Sequence, residues 1–152
     1  MLYVTRKAGF AASHRLFNPN FPDEKNDRIF DKCNNPNGHG HNYVLEVTVR
    51  GTPDPQTGYV IDLKVLAAII DREILEHVDH RHLNMDVDFL RGIIPTAENL
   101  AVLFWRRIEP HISSGELHSV RLFESDNNYV EYLGEPVEIP VISRMEGVES
   151  RI

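Results

Sequence analysis

The chain carries a single cysteine, Cys33, among its 152 residues. A lone thiol excludes an internal disulfide framework, so the fold must rest on a packed core. No apolar run approaches the roughly 20 residues that a membrane span needs. The first stretch, "MLYVTRKAGFAASHRL", lacks the basic start and apolar stretch of a signal peptide. These absences lead to the expectation of a cytoplasmic protein with no membrane partner. Positive charge is also short: 16 Lys and Arg stand against 23 Asp and Glu, a net charge of −7. That argues against a nucleic-acid partner, because coating phosphates needs clustered cations. A local pocket for one small phosphorylated ligand remains compatible with it. Repeats, low-complexity segments and linkers are missing too, so a chain of this length reads as one domain with a single core.

What is present is a patterned α+β chain. From Leu2 to Leu16 the residues Leu2, Val4, Phe10, Ala12, His14 and Leu16 share one parity, as on one face of a strand. "NPNFPDEKNDRIFDKCNNPNG" is rich in Asn, Asp and Pro and reads as a long loop. Loops of that length without structure of their own tend to be functional. A second strand is expected from His39 to about Arg50, with His39, His41, Tyr43, Leu45, Val47 and Val49 on one face. After the turn "TPDPQTG", "YVID" reads as the returning strand of a hairpin. Asp62 is placed to cap a helix whose inner face carries Leu63, Leu66, Ile69, Ile70, Ile74 and Val78. Thr96 is placed to cap a second, with Leu100, Leu103, Phe104 and Ile108 inward. "SVRLFES", "DNN" and "YVEYLG" read as strand, turn and closing strand. The order is strand-strand-helix-helix-strand-strand: a four-stranded, mostly antiparallel sheet with two helices on one face. Its open edges invite pairing with another subunit.

Several residues stand out as chemistry. His39 and His41 are two apart on a strand, so both imidazoles can reach one divalent ion. A catalytic zinc takes about three protein ligands, and His14, with the parity of Phe10 and Ala12, is the best third. Gly38 and Gly40 would let the backbone approach closely. Cys33 lies in a polar loop that does not suit a small buried hydrophobe. A nearby cation or metal would make it a thiolate base or nucleophile, and a fourth metal ligand is the other reading. Asp79-His80 is either a dyad or a solvated helix exit. Glu124 shares parity with Val120 and Leu122. It is either an inward acid awaiting a ligand with two N–H donors or a strand-end charge. Glu98, near a helix start, is accounted for by the helix macrodipole.

Together, "FAASHRL", "CNNPNGHGHNY", "DPQTGYVIDL", "VDHRHLNMD", "PTAEN" followed by Trp105, and "ESDNNYVEYLGE" resemble the 6-pyruvoyltetrahydropterin synthase family from about Val4 to Glu135. The resemblance implies a T-fold (tunnelling fold), in which three subunits join their sheets into a barrel and two trimers stack into a homohexamer. It implies that His14, His39 and His41 hold zinc and that Cys33 is the catalytic thiol. Asp79 and His80 would then act with that thiol from a neighbouring subunit, while Glu124 anchors the pterin and Thr96 and Glu98 lie near it. Ala97 departs from the second Thr common in relatives. The implied substrate is 7,8-dihydroneopterin triphosphate, converted to 6-pyruvoyl tetrahydropterin, with Arg15, Lys25, Arg28 and Lys32 available for the phosphates. The domain would span residues 1–135, leaving residues 136–152 as a tail of unassigned role.

Two rivals remain in view. The 6-carboxytetrahydropterin synthases of the queuosine pathway share the substrate and the zinc site. They typically show Cys-x3-His-Gly-His, whereas five residues, Asn34 to Gly38, separate Cys33 from His39 here. That spacer and "ESDNNYVEY" favour pyruvoyl formation. The second rival is a non-catalytic pterin- or metal-binding scaffold. The joint presence of Cys33, Asp79, His80, Glu124 and the three histidines argues against it. A purely structural zinc domain would use four Cys/His ligands at short paired spacings.

Overall fold

The structure, a computed structural model, describes residues 1–142. Two 13-residue strands form its spine, β1 (Leu2–His14) and β2 (His39–Gly51). They pair antiparallel in continuous register from Leu2 opposite Gly51 to His14 opposite His39. The far edge of β2 is taken by β4 (Glu116–Ser125), which in turn pairs with β5 (Asn128–Tyr132). A two-residue strand, β3 (Arg81–His82), runs parallel to the outer edge of β1. The sheet therefore has five strands in the order β3-β1-β2-β4-β5, one more than the four expected.

Alternation sets the core. Phe10, Ala12, Tyr43, Leu45, Val47, Val49, Val120 and Leu122 are buried on one face of the sheet, as residues two apart on a strand must share a side. Against that face pack α2 (Leu63–Ile70) and α4 (Ala97–Ile108), through Leu66, Ile70, Leu100, Phe104 and Ile108. Both caps expected from sequence form: Asp62 accepts the Lys64 N–H at 2.8 Å, and Thr96 Oγ1 accepts the Asn99 N–H at 3.2 Å. The first helix is not uniform. After Ile70 it widens into a π-helical turn, Asp71–Leu75, before α3 (Glu76–Val78). Leu63 is exposed rather than inward.

Two further expectations are corrected. The Asn/Pro-rich segment contains α1 (Asp23–Phe30) and a 3-10 turn, Asp31–Asn34. Pro22 precedes α1, Asp23 and Glu24 lie in its first turn and Arg28 in its last, an arrangement that complements the helix dipole. Asn26 ties its start to Asn18 through bonds of 2.9 Å in each direction. "YVID" is not a strand, because β1 and β4 occupy both edges of β2. Val60 and Ile61 instead plug the core as irregular chain, and Ser114 Oγ donates to the Val60 carbonyl at 2.5 Å. Among the described residues no helix is long and apolar enough to cross a membrane. Of the expected tail, residues 143–152 lie outside the described residues.

Candidate active site

The long strand pair ends in histidines. Register places His14 directly opposite His39, and Ala12 opposite His41, so the three imidazoles converge on the core face of the sheet. One ring nitrogen from each lies within 4.8 Å of the others. His14 is fully buried, and its Nδ1 faces the Pro95 carbonyl at 2.9 Å. A carbonyl only accepts, so that nitrogen carries the proton and Nε2 presents its lone pair. Nε2 points at His39 Nε2, 3.0 Å away. Burial, reinforced by the neighbouring imidazoles and opposed by the Pro95 bond, pulls the His14 pKa down to about 4. Burial also lowers His39, with His41 adding to the effect. Neutral imidazoles are what a metal needs. His39 Nδ1 and His41 Nε2 are buried without a hydrogen-bond partner, an unusual cost for polar atoms that an ion bound by the cluster would relieve. The donor set therefore fits a divalent metal of the imidazole-preferring kind.

The approach to the cluster is made by the "CNNPNGHGHNY" segment. Asn35 N–H bonds to the Lys32 carbonyl at 3.3 Å, and Gly38 N–H to the Asn35 carbonyl at 2.8 Å. The spacer between Cys33 and His39 is thus a succession of tight turns. Gly38 sits at φ +75°, and a Cβ there would fall 3.0 Å from the His14 carbonyl oxygen and from His82 Nε2. Only glycine lets the chain enter β2 this close to His14. Gly40 is different, since an added Cβ would make ordinary contact at 3.6 Å.

Cys33 lines a cavity of about 580 Å³ together with Asp27, Asp31, Asn35, His39 and His41. The Leu16 N–H donates to its carbonyl at 2.8 Å. Next to it Asn34 is buried, accepting from Arg15 at 3.0 Å and donating to Asp27 at 2.7 Å. Burial, then Glu124 and Asp31, push the Cys33 thiol upward. The chain alone therefore keeps it protonated, and a cation is needed to make the thiolate. Glu124 is half-buried at the end of β4, its Oε1 3.6 Å from His41 Nε2; that is charge proximity beyond hydrogen-bond reach.

Asp79 and His80 form a pair. Asp79 Oδ1 lies 2.9 Å from His80 Nδ1 and accepts the Ala11 N–H at 3.0 Å. They do not line the Cys33 cavity. His80 sits at φ +58° with its side chain 82% exposed, and borders a second hollow of about 380 Å³ with Ser13, Asn42, His82 and, on its wall, His41. Thr96 spends its hydroxyl on the α4 cap, Glu98 is exposed in the first turn, and neither lines the Cys33 cavity. Two partners escaped the sequence reading. Pro95 acts through its carbonyl, which no side-chain pattern signals. Tyr43 had the parity of the histidines, and its hydroxyl lies 3.3 Å from His14 Nδ1.

An α+β sheet that gathers three imidazoles at one end, with a free thiol in the adjoining cavity, has the layout of an enzyme with a candidate metal centre. The chain belongs to the 6-pyruvoyl tetrahydropterin synthase family, whose model matches residues 3–135. It is 45% identical to 6-pyruvoyl tetrahydrobiopterin synthase of Homo sapiens, over 87% of this chain and 91% of that protein. The solved 6-pyruvoyl tetrahydropterin synthase of Caenorhabditis elegans superposes with a TM-score of 0.83 at 38% identity, covering 88% of this chain and 96% of that one. The 6-carboxy-5,6,7,8-tetrahydropterin synthase of Rickettsia typhi is more distant, at 29% identity over 86% of this chain and 99% of that protein.

Proposed function

We propose that this protein is a lyase that converts 7,8-dihydroneopterin triphosphate to 6-pyruvoyl tetrahydropterin with elimination of triphosphate. The observation that carries the reading is the convergence of His14, His39 and His41 beside the Cys33 cavity, in a chain 45% identical to an enzyme named for that product. His14, His39 and His41 would hold zinc, which when bound supplies a Lewis acid for the hydroxyls of the substrate side chain.

The chain's own residues carry the rest. Glu124 presents two carboxylate oxygens to the pterin 2-amino and ring N–H groups and fixes ring orientation. The Cys33 thiolate removes a proton from the substrate side chain, and ring C6 takes one up. The side chain is thereby oxidised as the ring is reduced, with no external oxidant. Loss of the second side-chain proton expels triphosphate. His80, oriented by Asp79, donates and relays these protons. Arg15, Lys25, Arg28 and Lys32 border the entry as cations for the triphosphate. Thr96 and Glu98 remain assigned near the pterin.

The exposed His80 and its separation from the Cys33 cavity favour a site completed between subunits. We therefore assign the T-fold assembly, sheets joined into a barrel by trimerisation and trimers stacked into a homohexamer. A cytoplasmic enzyme with a domain at residues 1–135 and a tail at 136–152 completes the assignment. Incubation with dihydroneopterin triphosphate and mass spectrometry of the released pterin tests the function. 6-Pyruvoyl tetrahydropterin and triphosphate are expected; acetaldehyde with a 6-carboxy pterin would move the chain to the queuosine-type activity.

A further inference from the structure

The chain continues past the family match, which ends at residue 135, and the described part of the continuation is not a loose arm. After β5 the backbone turns at Gly134, φ +91°, where an added Cβ would fall 2.5 Å from Trp105 Cζ2. Only glycine passes beneath that ring. The Tyr132 ring stacks edge-on against Trp105 at 5.3 Å, and its hydroxyl donates to the Glu135 carbonyl. Arg106 then donates to the Val137 carbonyl. Trp105 and Arg106 both belong to the last turn of α4, so the segment starts at the end of that helix and runs back toward its beginning. At the far end the Ile142 N–H donates to the Gly92 carbonyl at 2.7 Å. Gly92 sits at φ +74°, and a Cβ on it would lie 2.7 Å from Val141 Cγ1. The strap therefore rests directly on the backbone there.

What it rests on matters. Residues 92–96 lead into α4, and Pro95 in that run holds the His14 ring through the 2.9 Å Nδ1 bond. The downstream end of the run is anchored by α4: Asn99 Nδ2 donates to the Ile94 carbonyl at 2.9 Å, and Asn99 N–H to Thr96 Oγ1. Its upstream end is met by Ile142. Three residues then separate the strap's hydrogen bond from the carbonyl that fixes the His14 tautomer. We propose that residues 136–142 are a positioning strap that clamps the 92–96 run and, through Pro95, holds His14 Nε2 in the geometry for binding metal. This rests on the three-histidine metal reading above, but its local consequence does not require the metal.

The partner of a ligating histidine commonly contributes 10–100-fold to metal affinity. A strap acting one step further out is expected to contribute about three- to tenfold. Two variants of the full chain test it: a truncation after Glu135, and Ile142→Pro, which removes only the N–H that meets Gly92. Zinc affinity is read by competition with a chromophoric chelator. Backbone hydrogen exchange of residues 92–96 and the imidazole nitrogen signals of His14 are read without metal. Both variants are expected to bind zinc three- to tenfold more weakly. They should exchange faster at Ile93, Ile94 and Thr96 and lose the sharp Nδ1–H signal of His14. Zinc affinity and His14 signals that match the parent overturn the strap, even if the melting temperature falls, since that is all a merely structural tail would do. If the truncated chain does not fold, Ile142→Pro decides. If the parent chain itself takes up no zinc, the metal reading fails, and the strap is judged on exchange and His14 signals alone.

Discussion

Asp79 Oδ1 stands 2.9 Å from His80 Nδ1 while accepting the Ala11 N–H at 3.0 Å. One oxygen thus serves the β1 backbone and the imidazole at once. The Ala11 bond leads the effects that hold the Asp79 carboxyl below the usual range, with His80 adding to them. The His80 N–H also donates to the Ala11 carbonyl, at 2.6 Å. The left-handed backbone of His80, φ +58°, is stabilised by this clasp on β1. An ionised Asp79 fixes the proton on Nδ1 and leaves Nε2 facing outward for proton transfer.

Asp79→Asn keeps the shape but offers His80 an amide that no longer fixes that tautomer. Turnover of dihydroneopterin triphosphate is expected to fall about 10²-fold or more, the usual share of a general acid–base group. The melting temperature should move little, because the pair is largely in solvent. Steady-state kinetics alongside thermal melting checks this. An unchanged kcat would remove the dyad from the mechanism.

His39→Ala and His41→Ala each delete one imidazole from a cluster whose ring nitrogens lie within 4.8 Å. Two ligands hold zinc far less tightly than three, so elemental analysis of the purified variants should show the metal lost. Cys33→Ala, which leaves all three imidazoles, should keep its metal and lose turnover. Zinc retained in both histidine variants would count against the site.

How far this site could be read from sequence depends on which physical rule governed each residue. Strand parity put His39, His41 and Tyr43 on one face, and the same rule matched His14 to them; the observed register of His14 against His39 bears that out. The caps at Asp62 and Thr96 were equally local and equally readable. α1 was hidden because its segment is full of turn formers, yet Pro22 and the acidic first turn carried a helix signal that composition masked. "YVID" misled because alternation alone does not reveal that both edges of β2 are occupied. β3 is two residues long and exists only because β1 offers a free edge. Pro95 and the strap act through backbone groups, which side-chain patterns do not encode.

Cys33 gives a prediction about the state of the thiol. Burial, then Glu124 and Asp31, raise its pKa in the metal-free chain, so iodoacetamide should react slowly at neutral pH. A cation bound beside His39 and His41, on the wall of the same cavity, opposes the two carboxylates and stabilises the thiolate. The pH midpoint of alkylation should therefore drop when zinc is added. Mass-spectrometric rates at stepped pH, with and without zinc, measure it. A midpoint that does not respond to zinc would separate the thiol from the metal.

Acid should destabilise the metal-free protein through His14. Its pKa is about 4 in the folded chain against about 6.5 in the unfolded one. Between those values the unfolded state binds more protons, so unfolding free energy rises with pH. The contribution is fully present above about pH 6.5, declines as pH falls, and is gone below about pH 4. For this fully buried ring the difference amounts to roughly 3 kcal/mol. His39 and His82, also lowered by burial, steepen the same slope. Urea unfolding midpoints of zinc-stripped protein between about pH 4.5 and 7.5 should climb with pH. His14→Gln should remove close to one proton's worth of that slope while lowering stability at neutral pH. With zinc present the acid limb should steepen further, because protons then compete with the ion for the imidazoles. A pH-independent midpoint in the stripped parent would mean that His14 is not held neutral by burial, and the lone pair assigned to its Nε2 would lose its physical basis.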